Sequence, residues 1–336
     1  MPGKIDCFGL TDIGCKRSEN QDQYLIAGLN KAMRVHKTSL SIDDNEMLLS
    51  ESQGILLLVA DGMGGQAGGK RASRLAVEGL ASYLLDTMPW FFSLDTDGDE
   101  HARRALDEAI VRCQEKLTTD AAVHPDVHGM GTTITAAYIR WPRATIVHAG
   151  DSRCYLHQEG RLTQLTTDHT LAEQYSSTGA FRKIDLADTR WAHVLWNAVG
   201  SNMRDVEPEV NQLELQTGDT LLLCTDGLMR HVDDPELTAV LNVDRSSEKL
   251  CHELVDRAKI RGGKDNITVV AARFLDNQQA EAMAETTEWQ LEEPQDAAEQ
   301  VQSSVDQVLT MPARSSSTED DRRPATESPA ADRLRV

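Results

Sequence analysis

Residues 55–70 read ILLLVADGMGGQAGGK, and the fold turns on how that stretch is understood. Six apolar residues, 55–60, run without a polar interruption, which suits a strand covered on both faces and is far too short to cross a membrane. They deliver the carboxylate of Asp61 to the strand's end. Beyond it, Gly62, Gly64, Gly65, Gly68 and Gly69 let the backbone turn tightly and bring its amides and carbonyls close to a ligand. Three readings compete. Residues 64–70 nearly spell the phosphate-cradling loop G-x-x-x-x-G-K-[ST], but Arg71 stands where the Mg²⁺-binding hydroxyl belongs. Gly62, Gly64 and Ala67 fit a relaxed dinucleotide fingerprint, which carries weight only among parallel βαβ units. The third is a plain turn in which Asp61 caps the backbone.

A second copy of the pattern helps to choose. Residues 221–227, LLLCTDG, echo residues 56–62, LLLVADG, so another buried strand ends in Asp-Gly and Asp226 becomes a natural partner for Asp61. Two further segments share this grammar: ATIVHAGDSR places Asp151 after a strand, and RGGKDNIT places Asp265 before one. Near the start, residues 5–11 read as a short strand, followed by a turn at Asp12-Ile13-Gly14 and then RSENQD, 17–22. Here Arg17 precedes Asp22 by five residues, a mix that holds a phosphate with Arg and a cation with Asp, or else forms a surface ion pair.

Composition narrows the field. At 336 residues the chain can bury a full core, and with aromatics at 4% that core must rest on Leu, Val, Ile and Ala. A formal charge of -20 argues against a nucleic-acid surface, which needs clustered Lys and Arg. Residues 277–336 hold 13 acidic and 5 basic side chains, yet the rest is acidic too, which suits cation binding or plain solubility. Cys7, Cys15, Cys113, Cys154, Cys224 and Cys251 are widely spaced without C-x-x-C, so buried free thiols are expected, and neither a zinc site nor a disulfide framework. The opening residues lack the apolar stretch of a signal peptide and no 18-residue apolar segment occurs, which together predict a cytoplasmic soluble protein.

Along the chain, residues 36–53 read as an insertion or long hairpin. Two helices follow the glycine loop. Ala72, Leu75, Ala76, Leu80 and Leu84 form one stripe, and Ala105, Leu106, Ala109, Ile110, Cys113 and Leu117 the other, both core faces. Short strands are expected at 132–139, 144–149, 153–157, 220–224 and 267–274, with a helix starting near Pro235 and another carrying Leu250, Cys251, Leu254, Val255 and Ala258. Regular βαβ alternation is missing, so an antiparallel sheet system flanked by helices fits better than either nucleotide-loop fold. Residues 166–198, with Asp168, His169, Trp191 and Trp196, read as an irregular excursion beside the site, of the kind that serves as a lid. From 277 onward the composition cannot offset its ordering entropy, so a mostly disordered tail is expected, with Trp289, Leu291, Val301, Val305 and Leu309 able to form one docking helix.

Asp22, Asp61, Asp151, Asp226 and Asp265 thus form an all-oxygen set at separated strand ends, joined by the carbonyl of Gly62. Such sites select hard octahedral cations, Mg²⁺ or Mn²⁺, and two ions roughly 3.5–4 Å apart can clamp an in-line phosphoryl displacement. The ordered segments RSENQD, VADGMGG, GMGTT (129–133), AGDSR, TDGL and GGKDNIT resemble the metal-dependent serine/threonine protein phosphatases of type 2C, bacterial branch, over residues 5 to about 275.

That resemblance implies an α+β, four-layer αββα sandwich at residues 1–276, two packed antiparallel sheets with helices outside, and a separate acidic tail at 277–336. It implies that Asp61 bridges two Mn²⁺ or Mg²⁺ ions, that Asp226 and Asp265 complete the first, and that the Gly62 carbonyl serves the second, with Asp22 direct or one water removed. Asp151 and Asp226 match the positions of a weaker third ion, Arg17 matches the phosphate-binding arginine, and residues 166–198 match the variable flap. The reaction implied is hydrolysis of phosphoserine or phosphothreonine by direct attack of a water bridging the two ions. Its partners would be phosphorylated proteins and a Ser/Thr kinase, and its state a monomer. Two departures stand out: Gln21 replaces a metal-binding Glu of many eukaryotic relatives, and Met63 replaces their general-acid histidine, for which His169 in the flap is an imperfect substitute. The competing functions are a phosphoprotein-binding pseudophosphatase, disfavoured because Arg17, Asp61, Asp226 and Asp265 are all intact, and a nucleotide-binding enzyme built on residues 64–70.

Overall fold

The apolar run becomes the strand Gly54–Ala60, buried on both faces because it lies inside a sheet that is itself sandwiched. The computed structural model describes residues 4–30, 32–37, 47–49, 54–87, 96–177, 189–200 and 205–276. In the first sheet the strands run in the order Glu209–Glu214, Arg143–Ala149, Ile134–Arg140, Gly54–Ala60 and Gln23–Leu29, every neighbour antiparallel. In the second the order is Lys4–Asp12, Ile267–Leu275, Thr220–Cys224, Arg153–Gln158 and Arg161–Gln164, again antiparallel throughout.

Side-chain alternation along these strands splits the interior into three apolar layers. Leu57 and Val59 pack with Ala137, Ile139 and Ile146 against Leu221, Leu223, Val270, Ala272 and Phe274 of the other sheet. Leu56, Leu58 and Ala60 point the opposite way, onto Ala72, Ala76, Leu80, Leu106, Ile110 and Leu117 of the helices Gly65–Thr87 and Thr96–Val123. On the far side Leu222, Cys224, Val269 and Ala271 pack under the helices Asp234–Leu241 and Ser247–Ile260. Helix, sheet, sheet, helix is the four-layer α+β order expected. The two later helices begin at side-chain caps: Asp233 accepts from the Glu236 amide with Pro235 in the first turn, and Ser246 accepts from the Lys249 amide.

Three features differ from expectation. The glycine-rich segment after Asp61 is not a loop: the helix begins at Gly65. Its glycines serve close packing, since a Cβ on Gly69 would stand 2.7 Å from the Gly62 carbonyl and one on Gly68 would stand 3.2 Å from Met130. With antiparallel sheets on either side, both nucleotide-loop readings fall. The strand Glu209–Glu214 went unread because it is a half-exposed sheet edge without a clear apolar alternation. A one-turn helix, Asp226–Met229, starts directly at Asp226. Of the expected insertion at 36–53, the described part pairs Met47–Leu49 with Ala32–Arg34 as a hairpin. The tail, with Trp289 and its apolar companions, and residues 178–188 of the flap lie outside the described residues.

Leu223 is fully buried between the sheets, whereas Ile260 is 84% exposed. Leu223→Ala is expected to cost about 2–5 kcal/mol in urea unfolding, and Ile260→Ala to stay within about 0.5 kcal/mol of the parent; equal effects would contradict this layering.

Candidate metal centre

Both sheets send strand ends to one edge of the sandwich, and the carboxylates ride on them. Asp61 follows Gly54–Ala60, Asp151 follows Arg143–Ala149, Asp226 follows Thr220–Cys224, and Asp265 precedes Ile267–Leu275. These four, with Arg17 and Gly62, line one cleft of about 500 Å³. Asp22 does not face that cleft openly: it lies beside it, 2% exposed.

The motif residues around the aspartates turn out to be their fasteners. The Asp61 amide donates to Thr133 Oγ1 at 3.0 Å, and its carbonyl accepts from the Thr133 amide at 2.9 Å and Thr132 Oγ1 at 2.8 Å. Thr133 Oγ1 in turn meets Ser152 Oγ at 2.7 Å, which links GMGTT to AGDSR. Asn266 clamps the segment before Asp22: its Nδ2 donates to the carbonyls of Ile13 and Glu19, and its Oδ1 accepts from the Gln21 amide. A Cβ on Gly227 would stand 1.9 Å from the Asn266 carbonyl, so the glycine after Asp226 is required by packing. Gln21 donates through Nε2 to the Gly65 carbonyl, tying the same segment to the helix start.

The oxygens left over have the character of cation ligands. Asp22 Oδ2 accepts from Thr225 Oγ1 at 2.8 Å and Thr268 Oγ1 at 2.7 Å, while its Oδ1 is buried without a hydrogen-bond partner. Asp226 repeats the pattern: Oδ2 takes the Arg230 guanidinium and Oδ1 is buried without a partner. Buried oxygens are rarely orphaned, so two such atoms beside the cleft fit a site for hard divalent ions. Burial first, then the fields of Asp22, Asp226, Asp151 and Asp265, hold the Asp61 carboxyl well above the usual carboxylate range. Burial also pushes Asp22 up to about 7, against the pull of its two threonine hydroxyls. Asp151 is pushed up to about 8, by burial and then by Asp226 and Asp168, with Arg230 offsetting part of the rise.

Arg17 lies flat on Asp265, Nη2 to Oδ2 at 2.8 Å and Nε to Oδ1 at 2.7 Å, with its side chain 52% exposed at the mouth. Sequence reasoning missed the second guanidinium, Arg230, which follows Asp226 by four residues and so lies on the same face of its helical turn. It also missed His193, the imidazole that lines the cleft, which sits in a stretch without any motif. His169 is elsewhere. It is 5% exposed, its Nδ1 accepting from the Gly150 amide at 3.2 Å and from Asn197 Nδ2 at 2.9 Å, its ring packed on His148 and Trp196. Of its two readings, proton donor to the cleft or structural residue, the structural one holds: it fixes the turn before Asp151. His148 and Glu209 stand close enough to His169 to suggest an ion, but His148 Nε2 already serves the Gly150 and Thr167 carbonyls, and Nδ1 meets Thr135 Oγ1. Asp168 likewise is spoken for, bound in a fork by Arg153 at 2.7 and 2.5 Å.

Comparison with known proteins matches residues 34–259 to the family model described as Protein phosphatase 2C. The serine/threonine protein phosphatase PstP of Mycobacterium tuberculosis (strain ATCC 25618 / H37Rv) is 36% identical over 221 residues, covering 66% of this chain; the chain spans 40% of that relative's length. The serine/threonine phosphatase stp of Listeria welshimeri is 34% identical over 215 residues, 64% of this chain and 82% of the relative. A crystal structure of M. tuberculosis PstP superposes with a TM-score of 0.64 at 29% identity, over 81% of this chain and 99% of that one. The catalytic domain of PstP in complex with two manganese ions gives 0.62 at 29% identity, with the same coverage.

Because Asp22 and Asp151 titrate far above the ordinary value near 4, the folded chain keeps protons that the unfolded chain has released. Their contribution to stability is full below that ordinary value, declines as pH rises, and levels off above about 8. His148, pushed down to about 4 by burial, adds no slope above its ordinary value. In excess chelator the thermal midpoint is expected to fall between about pH 6.5 and 8, and Asp151→Asn to flatten that fall; a midpoint that rises across the window would contradict it.

Proposed function

The chain belongs to the protein phosphatase 2C family, and we propose that it is a metal-dependent serine/threonine protein phosphatase acting on phosphoserine and phosphothreonine proteins. The observation that carries this is the pair of orphaned buried oxygens, Asp22 Oδ1 and Asp226 Oδ1, beside a cleft ringed by further carboxylates. Asp61, Asp226 and Asp265 with the Gly62 carbonyl and Asp22 would hold two ions, Mn²⁺ or Mg²⁺. When bound, the ions supply a nucleophilic water of lowered pKa and neutralise charge on the phosphoryl group.

The remaining work belongs to the chain's own residues. Thr132, Thr133 and Ser152 fix the Asp61 backbone so that its carboxylate keeps one position through turnover. Thr225 and Thr268 occupy one Asp22 oxygen and leave the other for the cation. Arg17, at the exposed mouth and matched in fork geometry to a phosphate, exchanges part of its Asp265 contact for the substrate's non-bridging oxygens. Met63 lines the cleft beside Gly62 and offers no proton, so the leaving alkoxide draws its proton from another donor. The PstP complex with two manganese ions supports the ion type, and the relatives' names support the reaction. The reaction class supports a role opposing a Ser/Thr kinase; no described helix is long and apolar enough to cross a membrane. The intact set Arg17, Asp61, Asp226 and Asp265 favours turnover over phosphoprotein binding alone.

Hydrolysis of p-nitrophenyl phosphate and a phosphothreonine peptide, with Mn²⁺, Mg²⁺ or excess chelator, tests the reading. Chelator and Asp226→Asn are each expected to lower kcat/KM by more than about 100-fold. Arg17→Ala should lower it about 10- to 100-fold, the worth of hydrogen bonds to a charged group. A folded, Mn²⁺-loaded chain without turnover would leave the pseudophosphatase.

A further inference from the structure

The oxygen that leaves phosphorus belongs to a protein side chain whose backbone stays outside the cleft, so the group that protonates it must stand on the cleft's open side and not among the carboxylates at the strand ends. Most of the side chains there cannot serve. Met63 and Leu195 have no proton to give, and Arg17 and Arg230 keep theirs at any working pH. The Ser18 hydroxyl is no stronger an acid than the alcohol it would protonate, and Glu19 is engaged by Lys70 at 3.2 Å. His193 remains, an exposed imidazole that lines both this cleft and an adjoining cavity of about 300 Å³. Imidazole is the side chain that gives and takes a proton near neutral pH without help from its surroundings.

Its backbone is held where the side chain reaches the cleft. His193 ends the one-turn 3₁₀ helix Arg190–His193, which Thr189 caps by accepting from the Trp191 amide at 3.3 Å. The residues that follow join the two limbs of the flap: the Leu171 amide donates to the Val194 carbonyl at 2.9 Å, Thr170 pairs with Leu195, and the Trp196 amide donates to the His169 carbonyl at 3.0 Å. From this base the ring acts on the carboxylates. Burial raises the Asp226 carboxyl, and Arg230 and His193 are among the charges that pull it back. The imidazole therefore stands within electrostatic reach of a carboxylate that the two-ion reading gives to the first ion.

We propose that His193 is the catalytic residue that protonates the serine or threonine oxygen as it leaves. The attacking water bonds to phosphorus while the bond from phosphorus to the side-chain oxygen breaks. The electron pair of the broken bond stays on that oxygen and the imidazolium proton passes to it, so the products are the free alcohol and phosphate. The proton shed by the water reaches solvent, and the exposed imidazole regains one from solvent before the next turnover. The inference rests on the phosphatase reading above and goes beyond it by naming the general acid.

The test compares leaving groups. The full chain, His193→Ala and His193→Gln are assayed at saturating Mn²⁺ on a phosphothreonine peptide, phenyl phosphate and p-nitrophenyl phosphate, with circular dichroism to establish folding. p-Nitrophenolate departs as a stable anion near neutral pH and needs little help, phenolate needs more, and a threonine alkoxide needs a proton outright. In both variants kcat on the peptide is expected to fall about 100-fold or more, with the loss smaller on phenyl phosphate, smallest on p-nitrophenyl phosphate, and the peptide KM little changed. An equal loss on all three substrates would make His193 a structural residue, a raised peptide KM with kcat kept would make it a substrate contact, and full peptide turnover in either folded variant would place the proton source elsewhere; each of these overturns the proposal. A wild type without metal-dependent turnover on any of the three overturns the phosphatase reading itself, and this inference with it.

Discussion

Everything at this end of the sandwich answers one constraint: five carboxylates are gathered together, four of them lining one cleft and Asp22 buried beside it. Burial raises the carboxyls of Asp22, Asp61, Asp151 and Asp226, and the charges of neighbouring aspartates add to the rise. Left to relax, such side chains would turn toward solvent or toward each other's protons. The Asp61 backbone is held by Thr132 and Thr133, one oxygen of the Asp22 carboxylate by two threonine hydroxyls, and the segment before Asp22 by the Asn266 carboxamide, all partners that carry no charge. Neutral donors can hold an aspartate in position without cancelling the charge that makes it useful to a cation.

The two-sheet architecture makes this affordable in energetic terms. The edge that bears the carboxylates is backed by three apolar layers in which Leu, Val, Ile and Ala do nearly all the packing. Strand ends are stiff when the strands behind them are buried on both faces, so the aspartates inherit the rigidity of the core. The close approach of glycine to backbone completes it: Gly62 meets Gly69 of the helix Gly65–Thr87, and Gly227 meets the Asn266 carbonyl between neighbouring strand ends of the second sheet, at distances no side chain would allow.

What could be read from the sequence follows the same physics. Continuous apolar strands and helical stripes announced the layers, because burial on two faces leaves an unbroken run and burial on one leaves a stripe. The ends of those runs located Asp61, Asp151, Asp226 and Asp265, since a carboxylate directly after a buried strand needs an external reason to be there. What stayed hidden was set by tertiary contact. The helix hidden in the glycine segment depends on Gly69 meeting Gly62, the edge strand Glu209–Glu214 on a neighbour fixed elsewhere, and the retreat of His169 into the interior on Asn197 and Gly150. Arg230 and His193 reach the cleft from segments whose local sequence resembles any exposed turn; spacing from Asp226 was the signal for the first, and the second had none.

Charge balance joins these points. The five aspartates and the two guanidiniums Arg17 and Arg230 together carry a formal charge of three negative when all are ionised. Two divalent ions turn that to one positive, and a phosphate dianion then leaves one negative, so neither the loaded site nor its complex strays far from neutrality.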